Sequence, residues 1–439
     1  MTNINTQYWW QPFTNTRGFR ENPRMFSRAQ GCFLYTDDGR DVLDITSCLW
    51  CMNLGHGRKE IAAAVKEQIE TLDFAPGFSF GHEQAYRFAE RICQHTPEGM
   101  NRVFFTNDGS GSIDTAIKLA RQYHIARGNS SKTRLVSREL GYHGINIGGT
   151  SIQGIANNRK GYPVLEEVDF LPSIFDIENN AFTRGLPQGG VDKADALEEI
   201  VAKRGAETIA AVIVEPVVGA GGMVPPSIEY LQRLRDICDE YDILLIFDEV
   251  ITGFGRTGAA FAANRFGITP DLMTCAKGIT GGTVPMGAVI MKDEVQQAII
   301  DAAPLGTIEL FHGTTYAGHP IAAAAGNACL DIYEEEGLFN RASGDIGEYW
   351  EDALHGLRDI EALIDIRNYG LLGGITFAAQ TVRFPAGVGA AVHARCFENG
   401  LLCRGVGDHM VMSPPLTITK QEIDLFIERL RKSINDVIG

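Results

Sequence analysis

Hydrophobic residues along the chain form two kinds of pattern, and their alternation predicts an α/β fold. Short, unbroken apolar runs are typical of strands that are buried in a sheet. Such runs stand at residues 102–105, 133–137, 209–215, 243–247 and 271–275. Apolar residues at helical spacing predict helices around them, over residues 59–71, 84–95, 192–204 and 226–241. We therefore expect a mostly parallel sheet with helices packed against it.

The two ends of the chain predict a smaller α+β domain. Residues 31–35 and 41–45 flank the turn sequence DDGR, which predicts a β-hairpin. An alanine-rich helix over residues 320–336 leads to a C-terminal part in which strands and helices alternate. Its predicted strands lie near residues 364–367, 372–377, 401 and 410, and its helices at residues 388–399 and 420–437. We expect a large domain at residues 59–325 and a small domain formed from residues 1–58 and 326–439.

One internal segment has neither pattern. Residues 151–195 are rich in Gly, Asn and Pro. This composition predicts a long irregular excursion over the surface, and the sequence does not say whether it covers a site or a subunit contact.

Composition and charge narrow the class of protein. The chain has 439 residues, 44% of them hydrophobic, which is typical of a globular protein with ample core. Its formal net charge of -16 gives nucleic-acid binding no electrostatic support. No apolar run reaches the roughly 18 residues of a membrane helix, and no signal peptide is expected at the N-terminus. Nine scattered cysteines predict reduced thiols and a cytoplasmic location, and the isolated CLWC at residues 48–51 predicts no metal site.

Candidate chemistry lies where the apolar runs end. Asp248 and Glu249 follow the run at residues 243–247, and Lys277 follows the next run. The carboxyl ends of parallel strands are where open α/β sheets bind ligands. An amine to hold an aldehyde and a carboxylate to keep a ring nitrogen protonated are what pyridoxal 5′-phosphate requires. A partly buried structural ion pair between Asp248 and Lys277 is the alternative.

The same cofactor needs a cup for its phosphate. In TNDGSGSIDTAIKLA, a strand passes through a glycine-serine turn into a helix. Backbone N–H groups at a helix N-terminus bind anions, so Gly109, Ser110, Gly111 and Ser112 are candidates for the cup. A plain helix cap is the alternative interpretation.

The segments IFDEVITGFGRTG and TCAKGIT resemble the signature of the class III, fold-type-I pyridoxal-phosphate aminotransferases, and the resemblance extends over nearly the whole chain. It implies that Lys277 holds the cofactor aldehyde and transfers protons, and that Asp248 pairs with the ring nitrogen. It also implies that Tyr142 lies on the ring with His143 beside it, and that Val250 is a further cofactor contact.

The resemblance further implies a homodimer, or a dimer of dimers. In this family the residue that matches Thr315 reaches the phosphate of the neighbouring subunit's cofactor. The sites would then lie at the subunit interface. Structural capping of the helix that starts at Pro320 is the alternative role for Thr315.

The substrate side is also implied by resemblance. Trp50 and Phe13 match aromatic positions near the substrate, and Arg404 matches an arginine that binds a substrate carboxylate. Ala220 stands where family members that use glutamate as a substrate carry a glutamate side chain. This pattern resembles the branch that transfers an amino group from an ω-amino acid such as β-alanine to pyruvate. Taurine, γ-aminobutyrate, a diamine or an aryl amine remain open as donors.

Two departures from the family pattern keep other functions open. Asp108 stands where the family has Ser or Thr, and Gly111 stands where the family has Glu. Both changes affect the expected binding of the cofactor phosphate. They are the only features that favour a non-catalytic homologue. A decarboxylating or mutase relative of the same fold is a separate alternative to the aminotransferase.

Overall fold

The fold was analysed on a computed structural model, which describes residues 5–380 and 382–439. Its strands fall into three sheets. In chain order they are β1 Phe26–Gln30, β2 Phe33–Thr36, β3 Asp41–Asp44, β4 Met100–Thr106, β5 Arg134–Arg138, β6 Val168–Leu171, β7 Ile209–Val214, β8 Leu244–Asp248, β9 Leu272–Cys275, β10 Gly287–Lys292, β11 Leu363–Tyr369, β12 Leu372–Phe377, β13 Leu401–Leu402, β14 Arg404–Val406 and β15 His409–Met412.

The helices are mostly amphipathic segments between the strands. In chain order they are α1 Thr16–Glu21, α2 Ser47–Trp50, α3 Lys59–Thr71, α4 Glu83–Cys93, α5 Gly109–Ala126, α6 Ile147–Ser151, α7 Ala156–Arg159, α8 Ile177–Asn180, α9 Val191–Arg204, α10 Ile228–Glu240, α11 Ala262–Phe266, α12 Asp293–Ala302, α13 Pro320–Glu335, α14 Leu338–Arg341, α15 Asp345–His355, α16 Val388–Glu398 and α17 Lys420–Ile438. No helix within the described ranges has the length and apolar content to cross a membrane.

The central sheet has seven strands in the order β4-β10-β9-β8-β7-β5-β6. The pairs from β9 to β6 are parallel, and β10 is antiparallel to both of its neighbours. Every residue of β7, β8 and β9 is buried. The predicted α/β fold with a mostly parallel sheet is confirmed.

Helices cover both faces of this sheet, because successive residues of a strand point to opposite faces. Leu245 and Phe247 belong to the core cluster that includes helix α10. Leu244 and Ile246 belong to the second cluster, which includes helix α5. A strand that is apolar at every position therefore packs into a hydrophobic core on each face of the sheet, which explains the unbroken apolar runs in the sequence.

The two smaller sheets come from the chain ends. One has the order β1-β2-β3-β13, in which Leu401 pairs in parallel with Leu43 and so joins the two ends of the chain. The other has the order β11-β12-β15-β14 and is antiparallel. The exact division at residues 58 and 326 remains a prediction.

Most predicted elements are present, and the differences have physical causes. The hairpin of β2 and β3 and the helix α3 are confirmed. The prediction of an irregular segment at residues 151–195 is wrong for β6, which pairs in parallel with β5 at the edge of the central sheet. Its four residues are only partly buried apart from Leu171, so the apolar signal is weak. Helices α12 and α15 were not predicted.

Candidate active site

Asp248 and Lys277 lie at one edge of the central sheet. Strand β8 ends at Asp248, and Lys277 follows two residues after the end of β9. These strands are parallel neighbours in which Asp248 pairs with Thr274, so their carboxyl ends coincide. Both side chains line a cavity of about 350 Å³. The two predicted catalytic residues are therefore brought together.

The Asp248 carboxylate is buried and held by three groups. It accepts hydrogen bonds from the Thr274 hydroxyl at 3.2 Å and from the Val250 N–H at 3.1 Å. Its second oxygen lies 2.8 Å from Nδ1 of His143, which is also buried. These contacts fix the orientation of the carboxylate before any ligand binds. The opposite ring nitrogen of His143 is buried without a hydrogen-bond partner.

Lys277 is half-buried close to these groups. Burial lowers the pKa of its amine below the ordinary lysine value, and the nearby Cys51, Asp248 and Glu215 offset part of this effect. No carboxylate within the described part of the chain lies within 4.0 Å of the Lys277 amine. The alternative of a structural ion pair with Asp248 is therefore wrong. A neutral, accessible amine is the form that reacts with an aldehyde.

Helix α5 points its N-terminus into the cavity. Gly109 and Ser110 line the cavity wall, and a Cβ on Gly109 would lie 2.9 Å from Cγ1 of Val250. Only glycine fits that position without displacing the neighbouring side chain. The Ser110 hydroxyl accepts a hydrogen bond from the Ile145 N–H at 3.1 Å.

Two of the four cup residues differ from the prediction. The Gly111 N–H donates to the Asp108 carboxylate at 2.7 Å, so this donor is already used by the helix cap. Ser112 is buried, and its hydroxyl contacts Thr106 Oγ1 at 2.7 Å. Neither residue lines the cavity, which leaves Gly109 and Ser110 as the candidate phosphate contacts.

Tyr142 and His143 line the same cavity, and the residue that holds the Tyr142 backbone was missed. The Glu215 carboxylate accepts hydrogen bonds from the backbone N–H groups of Tyr142 at 3.0 Å and Gly219 at 2.8 Å. Burial raises the pKa of Glu215. Glu215 follows strand β7 as Asp248 completes β8, so the same strand-end pattern could have identified it.

Trp50 lies near the Lys277 amine and Arg404 lies near Trp50, although neither residue lines the cavity. The Trp50 ring centroid lies 5.7 Å from the Lys277 Nζ and 5.3 Å from the Arg404 Cζ. Arg404 forms no ion pair with any residue of the described ranges, and its Nε is buried without a hydrogen-bond partner. Burial lowers the pKa of its guanidinium, and Tyr142 partly offsets this. The structure therefore places a free cation next to the predicted aromatic residue.

Phe13 and Thr315 lie apart from this group. Both are exposed, and neither lines the cavity. The alternative role for Thr315 as cap of α13 is wrong, because the His319 side chain caps that helix by accepting from the Ile321 N–H. The role of Thr315 toward a second subunit and that of Phe13 toward the substrate stay predictions.

The cavity meets the requirements of pyridoxal 5′-phosphate. It offers an amine in Lys277, a buried carboxylate in Asp248 and helix N–H groups at Gly109 and Ser110. The unpaired ring nitrogen of His143 is a further polar atom without a partner within the protein. Such a set can hold a cationic pyridine ring at one end and a phosphate at the other.

Comparison with known proteins gives an independent result. A family model described as aminotransferase class-III matches residues 16–434. The omega-aminotransferase of Caulobacter vibrioides is 49% identical over 429 residues, which cover 98% of this chain and 97% of that protein. The beta-alanine–pyruvate aminotransferase of Pseudomonas aeruginosa is 43% identical over 441 residues, with 99% and 97% covered.

Solved structures agree with these relatives. The omega transaminase of Pseudomonas jessenii in complex with PMP has a TM-score of 0.92 at 32% identity and covers 98% of this chain and 97% of that chain. An (S)-enantioselective omega-transaminase of Thermomicrobium roseum has a TM-score of 0.92 at 33% identity, with 99% and 97% covered. Since both the family model and these relatives match nearly its full length, the chain belongs to the class-III aminotransferases, which use pyridoxal phosphate.

Proposed function

We propose that this aminotransferase transfers the amino group of an ω-amino acid, with β-alanine as the reference donor, to pyruvate. The products are L-alanine and the aldehyde of the donor. The observation that carries the proposal is the half-buried Arg404, which has no ion-pair partner within the described residues and lies beside Trp50, the residue next to the Lys277 amine. An ω-amino acid separates its amine from its carboxylate, so the amine can reach Lys277 while the carboxylate pairs with Arg404.

Ala220 supports this assignment. It is buried in the loop after β7, and its methyl group cannot neutralise a guanidinium. Arg404 therefore remains available for the carboxylate of the donor in one half-reaction and of pyruvate in the other. One of the relatives compared above is named for β-alanine and pyruvate, and another is named an omega-aminotransferase.

Lys277 acts as the proton carrier of the reaction. The bound cofactor supplies an electron sink that stabilises the charge left on the donor carbon when its proton is removed. Because burial lowers the pKa of the Lys277 amine, it can accept that proton and return it to a neighbouring carbon. Lys277 thus serves first as general base and then as general acid.

Asp248 and its neighbours hold the ring in place. The Asp248 carboxylate would pair with the protonated ring nitrogen, and His143 and Thr274 keep that carboxylate oriented. Tyr142 would offer its ring to the face of the pyridine, and Val250 would be a further contact, since both line the cavity. Gly109 and Ser110 would hold the phosphate with their backbone N–H groups.

The active unit is proposed to be a homodimer. Exposed aromatic side chains cluster around a groove that residues 77–86 and 312–318 line. They are Phe78, Phe80, Tyr86, Phe311 and Tyr316. Exposed apolar patches of this kind mark contact surfaces, and Thr315 lies within the same segment. Light scattering should give twice the chain mass of 48.0 kDa, and a mass of 48.0 kDa would contradict the dimer.

The compartment is proposed to be the cytoplasm. All nine cysteines are free thiols, as expected in a reducing environment. Fractionation of the native host, with an antibody against the protein, is the direct test.

Visible absorbance of the purified enzyme tests the function. We expect the cofactor band to disappear when β-alanine is added and to return when pyruvate follows. L-Alanine should accumulate in proportion. A band that β-alanine leaves unchanged, while another amine bleaches it, would contradict the donor but keep the aminotransferase. A band that β-alanine bleaches but pyruvate does not restore would contradict the acceptor.

A further inference from the structure

The turn that carries Trp50 has an unfavourable backbone. Ser47, Cys48 and Trp50 all have positive φ angles, of 48°, 59° and 63°. Residues with a Cβ rarely adopt this region, and three of them within four residues require support from the surrounding structure. Trp50 depends on this turn for its position beside Lys277 and Arg404.

The first support is the buried carboxylate of Asp44, at the end of β3. It accepts hydrogen bonds from the Thr46 N–H at 3.1 Å and from the Cys48 N–H, which lies 2.8 Å from both oxygens. His56 Nε2 lies 3.2 Å from the same carboxylate. Asp44, Cys48 and His56 bring three possible metal-ligand atoms within 4.8 Å, but both Asp44 oxygens already accept backbone N–H groups. The cluster is therefore an anchor for the turn.

The second support is the guanidinium of Arg256, in the glycine-rich segment after β8. It is fully buried, and it donates to the Ser47 hydroxyl at 2.8 Å and to Asn53 Oδ1 at 2.5 Å. It also donates to the Ser413 carbonyl at 3.3 Å and to the Pro414 carbonyl. Arg256 therefore connects the Trp50 turn to the segment that follows β15.

Strand β15, which leads into that segment, also positions Arg404. Strand β15 pairs with β14, and Arg404 lies opposite Val411. The Ser47 hydroxyl donates to the Ser413 carbonyl at 2.9 Å, so the Trp50 turn and the Arg404 hairpin share one hydrogen-bond network. We expect a change in this network to alter the distance between Trp50 and Arg404, because it joins the two segments that carry them.

We propose that Asp44 and Arg256 are positioning residues that set the selectivity of the enzyme for carboxylate-bearing over neutral substrates. They do so by holding the Trp50 turn and the Arg404 hairpin in one arrangement. The proposal rests on the proposed function only in its choice of donor. Its core statement is that residues outside the cavity control how well a carboxylate binds beside Trp50.

The test uses Asp44→Asn and Ser47→Ala in the full holoenzyme. The first keeps the shape of the carboxylate but turns one acceptor oxygen into a donor that opposes a backbone N–H. The second removes the hydroxyl through which Arg256 holds the turn. Because Ser47→Ala retains the rest of the network, it still tests the proposal if Asp44→Asn does not fold. Asp38→Asn, an exposed aspartate in the same hairpin, is the matched control.

The donors are β-alanine and n-propylamine, which differ in carrying a carboxylate or a methyl group. We expect kcat/KM for β-alanine to fall about tenfold in each variant, mainly through KM, while the value for n-propylamine changes less than roughly twofold. The cofactor absorbance should not change. Equal losses for both donors would overturn the proposal, because they would indicate a general structural effect, and so would unchanged selectivity.

Propionate separates this proposal from the proposed function. It has the carboxylate but no amine, and its Kd can be measured by calorimetry without turnover. We expect the Kd of both variants to rise about tenfold over the wild type. If the wild type does not convert β-alanine, the proposed donor fails, but the propionate result still decides the positioning role. An unchanged Kd for propionate in both variants would contradict the positioning role of Asp44 and Arg256.

Discussion

The two ends of the candidate site are built in different ways. The reaction end, formed by His143, Asp248 and Lys277, lies on the carboxyl edge of one buried sheet. The substrate end, formed by Trp50 and Arg404, is assembled from both chain ends and held by a buried polar network. The reaction end therefore depends mainly on where the strands end, whereas the substrate end depends on contacts between segments distant in sequence.

Because of this difference, donor specificity can change with little effect on the reaction chemistry. A parallel sheet whose strands are buried on both faces fixes the strand ends rigidly, so the chemistry is preserved as long as the core is. Trp50 and Arg404 can shift by rearranging hydrogen bonds that the sheet does not use. We expect reaction-end variants to impair all donors alike, and substrate-end variants to separate donors with a carboxylate from those without.

Replacing Lys277 should have the largest effect. Lys277→Ala removes the general base and acid, so turnover of β-alanine and n-propylamine should both fall at least about 10³-fold. Borohydride reduction followed by mass spectrometry should no longer attach the cofactor to the peptide at residue 277. Lys160→Ala removes an exposed lysine and is the control. Substantial turnover in Lys277→Ala would contradict the role of Lys277.

Replacing Asp248 should have the next largest effect. Asp248→Asn leaves an acceptor for the Thr274 hydroxyl but cannot hold the ring nitrogen protonated, so kcat should fall about 10²- to 10³-fold for both donors. Absorbance should show that the cofactor is retained. Asp242→Asn, at an exposed position before β8, controls for loss of a carboxylate. Normal rates in Asp248→Asn, or a loss confined to one donor, would contradict the comparison.

The sequence predicted the reaction end better than the substrate end, for physical reasons. Asp248 and Lys277 follow apolar runs, and a strand end is a local feature that hydrophobic pattern reveals. Glu215 follows the same rule and could have been found. The support of the Trp50 turn by Arg256 could not have been found in this way, because Arg256 binds Ser47, which lies more than two hundred positions away in the sequence.

Local capping chemistry explains another difference. The glycine-serine turn predicted a cup of four residues, but the Asp108 side chain takes the N–H of Gly111. A pattern of residue types does not say which donor a capping side chain occupies. Strand β6 was missed because an edge strand that is buried on few positions resembles a loop in hydrophobic pattern.

Replacing Arg404 should separate the donors. Arg404→Met keeps the length of the side chain without its charge, so the carboxylate of β-alanine loses its charge-assisted hydrogen bonds. Such bonds contribute about 1.5–3 kcal/mol, so kcat/KM for β-alanine should fall about 10- to 150-fold. The value for n-propylamine should stay within roughly threefold. Arg395→Met, on helix α16, is the exposed control. Equal losses for both donors would place Arg404 at the reaction end instead.

Replacing Asp108 should have the smallest effect, and it should improve binding at the reaction end. Asp108 lines the cavity where Gly109 and Ser110 offer N–H groups to a phosphate. A carboxylate there opposes a dianion by about 1 kcal/mol at an exposed position. Asp108→Ser keeps an N-cap side chain for the Gly111 N–H but removes the charge. We therefore expect the Kd of the apoenzyme for pyridoxal 5′-phosphate to fall about three- to tenfold.

Pyridoxal, which lacks the phosphate, shows whether charge is the cause. Its Kd should be the same for Asp108→Ser and the wild type, and the gain for pyridoxal 5′-phosphate should shrink as salt screens the exposed carboxylate. Fluorescence quenching of the apoenzyme measures both values without turnover. If both ligands bind more tightly to the variant, the helix cap and not the charge controls the cavity. If pyridoxal 5′-phosphate binds less tightly, Asp108 supports the phosphate end, and the reaction end then depends on a side chain outside the strands as the substrate end does.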